Sequence, residues 1–294
     1  MGAVHEQELV GLEALEAATV LLQRARAAHP TAGLFEAADL QWWWRTPRPT
    51  DEVPQLFWVD DLGRPVAAVV ATAWRERVTL SPILLPGTSD DDRARVVERG
   101  IEHAEQRGLG PLGVEIDRTD DSLRRALTGH GFADEEDGVV ETWLAAADVP
   151  SISPLLDGYR LARRTDTPDR PHHMILRSGP DVAARLAQTS LYRPDLDLVV
   201  FDDDDTPAAY GLFWYDPVTA TGLVEPMRTE DDHQRRGLAR HVLTTGLRLL
   251  AEAGAERIKI CYRPGNPPAR DLYLGVGFEP VHRTVSLLRV AGPT

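Results

Sequence analysis

The sequence predicts a mixed α/β (α+β) protein built from two tandem units of one fold, the N-terminal unit degenerate. Three observations carry this. The chain has 294 residues with an apolar fraction of 43%, enough to fill two cores. Offset by 146 residues, Gly277-Phe278 falls on Gly131-Phe132, Gly254 on Gly108, and Ile258 and Ile260 on Leu112 and Val114. A shared register of this length is the mark of an internal repeat. Between the copies, Ala145 to Gly158 carries two prolines and reads as a connection. The expected division is therefore 1–147, a linker at 148–157, and 158–294.

In the second copy, Leu198 to Phe201 reads as a strand and Asp202 to Asp205 as an acidic turn. Pro207 to Tyr215 and Thr221 to Thr229 read as the next strands. A helix follows from about Arg235 to Ala253, because Leu238, Val242, Leu243, Leu247 and Leu250 share one side at helical spacing. Gly254 supplies its stop. Arg257 to Tyr262 is a strand, Pro267 and Pro268 open a short helix running to Leu274, and strands around Val281 and Ser286 close the unit. The first copy repeats this plan behind a helix from about Glu8 to Ala28.

A net charge of −14 argues against a nucleic-acid partner, which must be met by clustered cations, and fits a cationic substrate better. Residues 1–147 hold 26 acidic side chains against 14 arginines, so the first unit could offer an acidic wall to such a substrate; a solvated surface is the simpler use of most of these charges. Cys261 is the only cysteine, which excludes an internal disulfide and a cysteine-built metal site, and suits a reducing cytoplasm. The nine histidines show no ligand spacing, with His172-His173 in a loop beside Pro171, and four consecutive Asp in a turn do not specify a cation, so no metal is expected. MGAVHEQELV lacks the plan of a secretory leader, Glu6 stands where a myristoylation signal wants Ser or Thr, and Val66 to Trp74 is too short to span a bilayer. A soluble, cytoplasmic chain without a membrane partner is expected; the oligomeric state stays open.

Gln234-Arg235-Arg236-Gly237-Leu238-Ala239-Arg240 lies between a strand and a long helix. Unused N–H groups at a helix start, with the positive end of its dipole, hold an anion. Gly237 and Ala239 let the backbone come close, the three arginines add charge, and a pyrophosphate is the natural occupant. A glycine pattern alone is a weak signal. Here, however, the sequence resembles the GNAT superfamily of N-acetyltransferases. Gln234, Gly237 and Ala239 match its coenzyme A motif, and Asn266, Ala269, Leu272-Tyr273 and Gly277-Phe278 match its second motif at the same spacing. The two-unit layout, with Glu225-Pro226 on the preceding strand, is similar to tandem acetyltransferases of actinobacteria, of the mycothiol synthase type.

The resemblance implies acetyl-CoA as co-substrate and a small-molecule amine as acceptor. It also implies that Met227, Arg228 and Thr229 offer backbone groups to the pantetheine arm, that Gln234 to Arg240 hold the pyrophosphate, and that Asn266 sits near the coenzyme. Tyr273 falls where the superfamily places the acid that meets the leaving thiolate. An alkylamine has a pKa of about 10 and arrives protonated, so a base is needed. Glu225, four residues before Thr229 and expected on the same face, is the candidate base, directly or through water. A strand carboxylate paired with arginine and a packing tyrosine remain the simpler readings of Glu225 and Tyr273. The alternatives for the chain are a coenzyme A-binding sensor or structural module without turnover, another acyl donor, and a protein N-terminus or mycothiol precursor as acceptor.

At the repeat offset Gly237 becomes Asp91, Ala239 becomes Arg93, Asn266 becomes Asp120 and Tyr273 becomes Leu127. Three carboxylates at 90–92 would repel a pyrophosphate, so the first unit is expected to keep the fold without the coenzyme site. Trp42-Trp43-Trp44-Arg45 cannot point one way on a helix, and packing between the halves is favoured over substrate stacking.

Overall fold

Strands form where apolar side chains run or alternate, and glycines with positive φ punctuate the chain between elements. A computed structural model describes residues 4–289, the side chains of Glu136 and Asp137 excepted. In chain order the elements are β1 (Val4–Leu9), α1 (Gly11–Ala28), α2 (Ala37–Trp44), β2 (Gln55–Asp60), β3 (Pro65–Trp74), β4 (Arg77–Leu84), α3 (Asp90–Gln106), β5 (Leu112–Asp117), α4 (Asp121–Gly129) and β6 (Ala133–Ala145). There follow β7 (Tyr159–Arg163), the short helices α5 (Ile175–Ser178) and α6 (Val182–Leu186), β8 (Asp197–Asp202), β9 (Pro207–Asp216), β10 (Thr221–Thr229), α7 (Leu238–Ala253), β11 (Arg257–Tyr262), α8 (Pro267–Leu274) and β12 (Glu279–Arg289). No described helix is long and apolar enough to cross a membrane.

Two compact units result. Unit 1 takes residues 4–40, 47–140 and 282–289; unit 2 takes 41–46 and 141–281. These bounds differ from a cut at 147 and 158, for a physical reason. A strand is placed by its ladder partner, and the last strand pairs with β5 of unit 1, Thr284 to Arg289 running antiparallel to Asp117 to Leu112. Residues 141–145 instead join unit 2, where Thr142 Oγ1 donates to the Ile260 carbonyl at 2.7 Å. Lys259, the only lysine, is buried there with its Nζ 3.4 Å from Glu141. The connection after Asp148 is pinned along α7: Ser153 N–H donates to Thr244 Oγ1 at 3.0 Å, and the Ser153 carbonyl lies 2.6 Å from His241 Nδ1.

Each unit is a mixed α/β layer structure. In unit 1, β1 to β4 are antiparallel neighbours, while β4 and β5 run parallel over Val78–Leu80 and Leu112–Val114. Its core joins Val69, Ile101, Val114, Leu127, Phe132 and Leu287. In unit 2, β7 to β10 are antiparallel neighbours, and β10 runs parallel to β11 over Thr221–Leu223 and Arg257–Lys259. The same short parallel contact thus stands at the centre of both units.

Two expectations need adjusting. The helix placed at Glu8 to Ala28 begins at Gly11, because Val4–Leu9 pairs with β2 and Gly11 turns the chain at φ +61°. The strands around Val281 and Ser286 are one strand, β12.

Candidate active site

The site of unit 2 begins where two strands part. β10 pairs with β11 only to Leu223, yet stays with β9 to Thr229. Over Met227 to Thr229 the β11 side of β10 carries backbone groups that no ladder among the described residues takes up. These groups need partners, and an extended amide-bearing ligand can supply them.

The β9–β10 pairing then slips. Val224 faces Phe213 and Met227 faces Gly211, so β10 takes three steps where β9 takes two. The extra residue falls at Glu225-Pro226, where proline has no N–H for a ladder. The bulge decides where Glu225 points. The Phe213 ring packs on Gly246 of α7, and a side chain at Gly211 would meet Val242 of α7, so Val224 and Met227 both face α7. Alternation from Val224 sends Glu225 to the opposite face, whereas alternation from Met227 sends Thr229 towards α7. The expectation that Glu225 and Thr229 share a face is therefore corrected: the bulge resets the period. Trp214, next to Phe213, lies on the Glu225 side, and its indole N–H donates to the Glu225 carbonyl at 2.8 Å.

A loop follows. Arg235 and Gly237 adopt positive φ, +64° and +79°, and Gly237 is the N-cap of α7 with no side-chain cap on the helix. The first-turn amides of Leu238, Ala239 and Arg240 therefore lack a side-chain partner, at an exposed, dipole-positive helix start. A Cβ on Gly237 would meet nothing within 4 Å, so glycine serves the backbone angle and keeps the mouth of the loop open.

The other loop side chains are tied down. Arg236 donates to Tyr159 Oη at 2.7 Å, and that hydroxyl lies 3.0 Å from His233 Nδ1. Gln234 donates to Asp231 at 3.2 Å. Arg240 was expected at the pyrophosphate; its guanidinium donates to the Gly275 carbonyl at 3.0 Å and fixes the start of α7 to the end of α8. Arg228 pairs with Asp231 at 2.9 Å and Glu230 at 3.3 Å.

Asn266 caps α8, accepting from the Ala269 N–H at 3.3 Å, and so orients the helix that carries Tyr273. Tyr273 is buried among Tyr262 and Phe278. Burial raises its pKa, and the neighbouring Cys261 and Glu225 raise it further. The phenol thus keeps its proton, and its field couples it to the β10 carboxylate and to the β11 residue beyond the parting.

A second group has no counterpart in the local sequence pattern. Asp197, at the head of β8, is 0% exposed. His172 Nε2 lies 3.0 Å from one carboxylate oxygen and His173 Nε2 3.1 Å from the other; Tyr192 Oη donates at 2.8 Å. Burial pushes the Asp197 pKa up, but the two imidazoles outweigh it and hold the carboxyl below the usual range. These donor atoms converge as metal ligands would, within 4.8 Å of one another. However, Met174 N–H donates to His172 Nδ1 at 3.2 Å, which leaves the His172 proton on Nε2, aimed at Asp197. The group reads as an anchor: His172 and Tyr192 hydrogen-bond one carboxylate oxygen, and His173 stands against the other. Nothing in the spacing announces it, because its members lie up to 25 residues apart. Asp197→Asn, which leaves the imidazoles facing an amide, is expected to cost about 3 kcal/mol of stability in urea unfolding near pH 7. As the folded pKa is depressed, that difference should be fully present above the unfolded value and be lost progressively as pH falls from there through the lower folded value.

In unit 1 the equivalent helix start differs. Ser89 caps α3 by accepting from Asp92 N–H, and Asp90, Asp91 and Asp92 fill the first turn. By helix start, Ser89 rather than Asp91 stands for Gly237; the ungapped offset is two residues out in this loop. Asp120 caps α4 as Asn266 caps α8, and Leu127 is fully buried in place of Tyr273.

The model of the acetyltransferase (GNAT) family matches residues 159–278. No curated protein matches the sequence. Among solved structures, a tandem GNAT protein from the clavulanic acid biosynthesis pathway is 15% identical, covers 99% of this chain and 100% of its own, and has a TM-score of 0.69. A GCN5-related N-acetyltransferase from Sphaerobacter thermophilus is 15% identical over 99% and 97%, with a TM-score of 0.62. A putative acetyltransferase from Pyrococcus horikoshii is 13% identical over 99% and 91%, with a TM-score of 0.55. At these identities the structures speak for the fold, which is that of a two-unit GNAT protein; the family match covers the parted strands, the glycine loop and the second motif, and residues 159–278 belong to the GNAT acetyltransferase family.

Proposed function

We propose that unit 2 transfers the acetyl group of acetyl-CoA to the primary amine of a small molecule by direct attack in a ternary complex. The observation that carries this reading is the bulge at Glu225-Pro226. It sets a carboxylate beside the parting of β10 and β11, on the face away from α7, with its charge felt by the Tyr273 phenol.

The co-substrate would supply an activated thioester. The uncapped amides of α7, with Gly237 and Arg235 in left-handed geometry, suit its pyrophosphate. The open edge of β10 from Met227 to Thr229 suits the amides of its arm. Glu225 accepts a proton from the incoming ammonium, leaving the amine lone pair to attack. As the carbon–sulfur bond breaks, Tyr273 meets the departing sulfur as a donor, and its raised pKa keeps that donor protonated. In the first unit, the capped helix start and its three carboxylates argue for one coenzyme per chain.

Thiol release from acetyl-CoA over a panel of amines tests the reading. Tyr273→Phe is expected to lower kcat by about 100-fold while coenzyme affinity, measured by calorimetry, stays put. Full activity in this variant removes Tyr273 from the mechanism. Coenzyme binding without thiol release for any amine favours a binding module.

A further inference from the structure

The face of the sheet that carries Glu225 is covered by residues 172–196. His173 packs at a tilt against Tyr210 of β9 with ring centroids 5.2 Å apart, Tyr192 lies 6.2 Å from the Trp214 ring, and Arg177 of α5 makes a two-pronged pair with Glu230 at the end of β10. An amine reaching Glu225 away from α7 must therefore pass this segment. Yet its helices, α5 and α6, are 4 and 5 residues long. Helices of one turn do not hold themselves together in water. Something else must fix the wall.

Two anchors do so. One is the buried Asp197 group, which holds the start of the segment and Tyr192. The other comes from residues 41–46, over 130 residues earlier in the chain, which pack within unit 2. Gln41, 1% exposed, donates to Ser190 Oγ at 2.9 Å and accepts from Leu191 N–H at 2.8 Å. Trp44 Nε1 donates to Gln188 at 2.9 Å. The Arg185 guanidinium lies 3.6 Å over the Trp44 ring and donates to the Trp44 carbonyl at 2.7 Å. Arg45 stacks on Trp42 at 3.5 Å and donates to Ser178 Oγ at 3.2 Å; Thr46 Oγ1 donates to the Ser178 carbonyl at 3.0 Å.

We infer that residues 41–46 form a strap that positions the acceptor wall, so that a segment from the N-terminal half sets the amine specificity of unit 2. The contacts fall at both ends of the wall, at Ser178 and at Gln188–Leu191, with Arg185 between. An arginine that both stacks on a ring and donates to a carbonyl holds a surface in one geometry better than an isolated surface ion pair does. None of these contacts falls on Gln234 to Arg240, so acceptor and coenzyme binding can be measured apart. The inference rests on the acetyltransferase reading for its acceptor but not for its structural content.

The test uses the full chain carrying Gln41→Ala, Trp44→Ala, or Trp44→Phe, which keeps a ring beneath Arg185. In the two alanine variants, KM for the best amine is expected to rise at least about fivefold, with kcat and coenzyme affinity within twofold of the parent. Trp44→Phe is expected to recover most of the KM. Amide hydrogen exchange should speed up over 172–192 and stay unchanged over 238–262. A loss of coenzyme affinity as large as the rise in KM, or KM and exchange both unchanged, would overturn the inference. If no amine is turned over, the acetyltransferase reading fails, and exchange alone decides: acceleration confined to 172–192 upholds the strap, and acceleration spread through α7 and β11 sinks it.

Discussion

Gly237→Asp is expected to abolish coenzyme binding, raising Kd at least about 100-fold, or about 2.7 kcal/mol. Two effects add. The residue caps α7 at φ +79°, a conformation in which a side chain costs about 1–2 kcal/mol, though Asp and Asn tolerate it best. A carboxylate at this cap would also receive the first-turn amides that suit the pyrophosphate, and would set negative charge against negative charge. No clash contributes, since the space around the missing Cβ is open. The two effects can be told apart by calorimetry. Gly237→Asn adds a similar volume without the charge and should weaken binding least. Gly237→Ala carries the backbone cost alone and should fall between. Salt should narrow the gap between Asp and Asn, because exposed charges are screened. Equal affinities for the parent and the Asp variant would mean that the coenzyme binds elsewhere.

Unit 1 carries a version of the same experiment. Its helix start is already capped by Ser89 and loaded with Asp90, Asp91 and Asp92, while the parallel contact of β4 with β5 is kept. Fold and binding are separable here because the core is made by strand and helix faces, whereas the anion site depends on a few backbone groups at one helix end.

What can be read along the chain is local. The end of α7 at Gly254, the cap of α8 at Asn266 and the uncapped start at Gly237 follow from residues within a turn of each feature. What cannot be read is set by distant partners. The last strand reads as part of its own half, but its ladder partner is β5. The tryptophans at 42–44 announce themselves as packing residues, but Gln188 and Arg185, which receive Trp44, lie over 140 residues away. Pro226 is an intermediate case. A proline inside a strand signals a bulge, and one extra residue between Glu225 and Thr229 is enough to put the two on different faces. Strict alternation over Thr221 to Thr229 ignores that signal, which is why it fails at this one step.

That bulge makes the sharpest functional prediction. Glu225→Gln is expected to lower kcat at pH 7 by about 100- to 1000-fold, the usual range for a lost general base. The amide is close in size to the carboxylate, and the Trp214 bond goes to the backbone carbonyl, so the bulge should persist and coenzyme affinity should not move. The pH profile separates a base from a merely structural carboxylate. With Glu225 present, bound ammonium can be deprotonated in place, and kcat should be nearly flat through neutrality. With Gln in its place, only amine already neutral can react. The rate should then climb about tenfold per pH unit towards the amine pKa of about 10 and approach the parent in alkali. A structural defect would lower the whole profile without tilting it. Unchanged kcat at pH 7 in the Gln variant would mean that the amine loses its proton elsewhere, and that the bulge serves only to open the edge of β10.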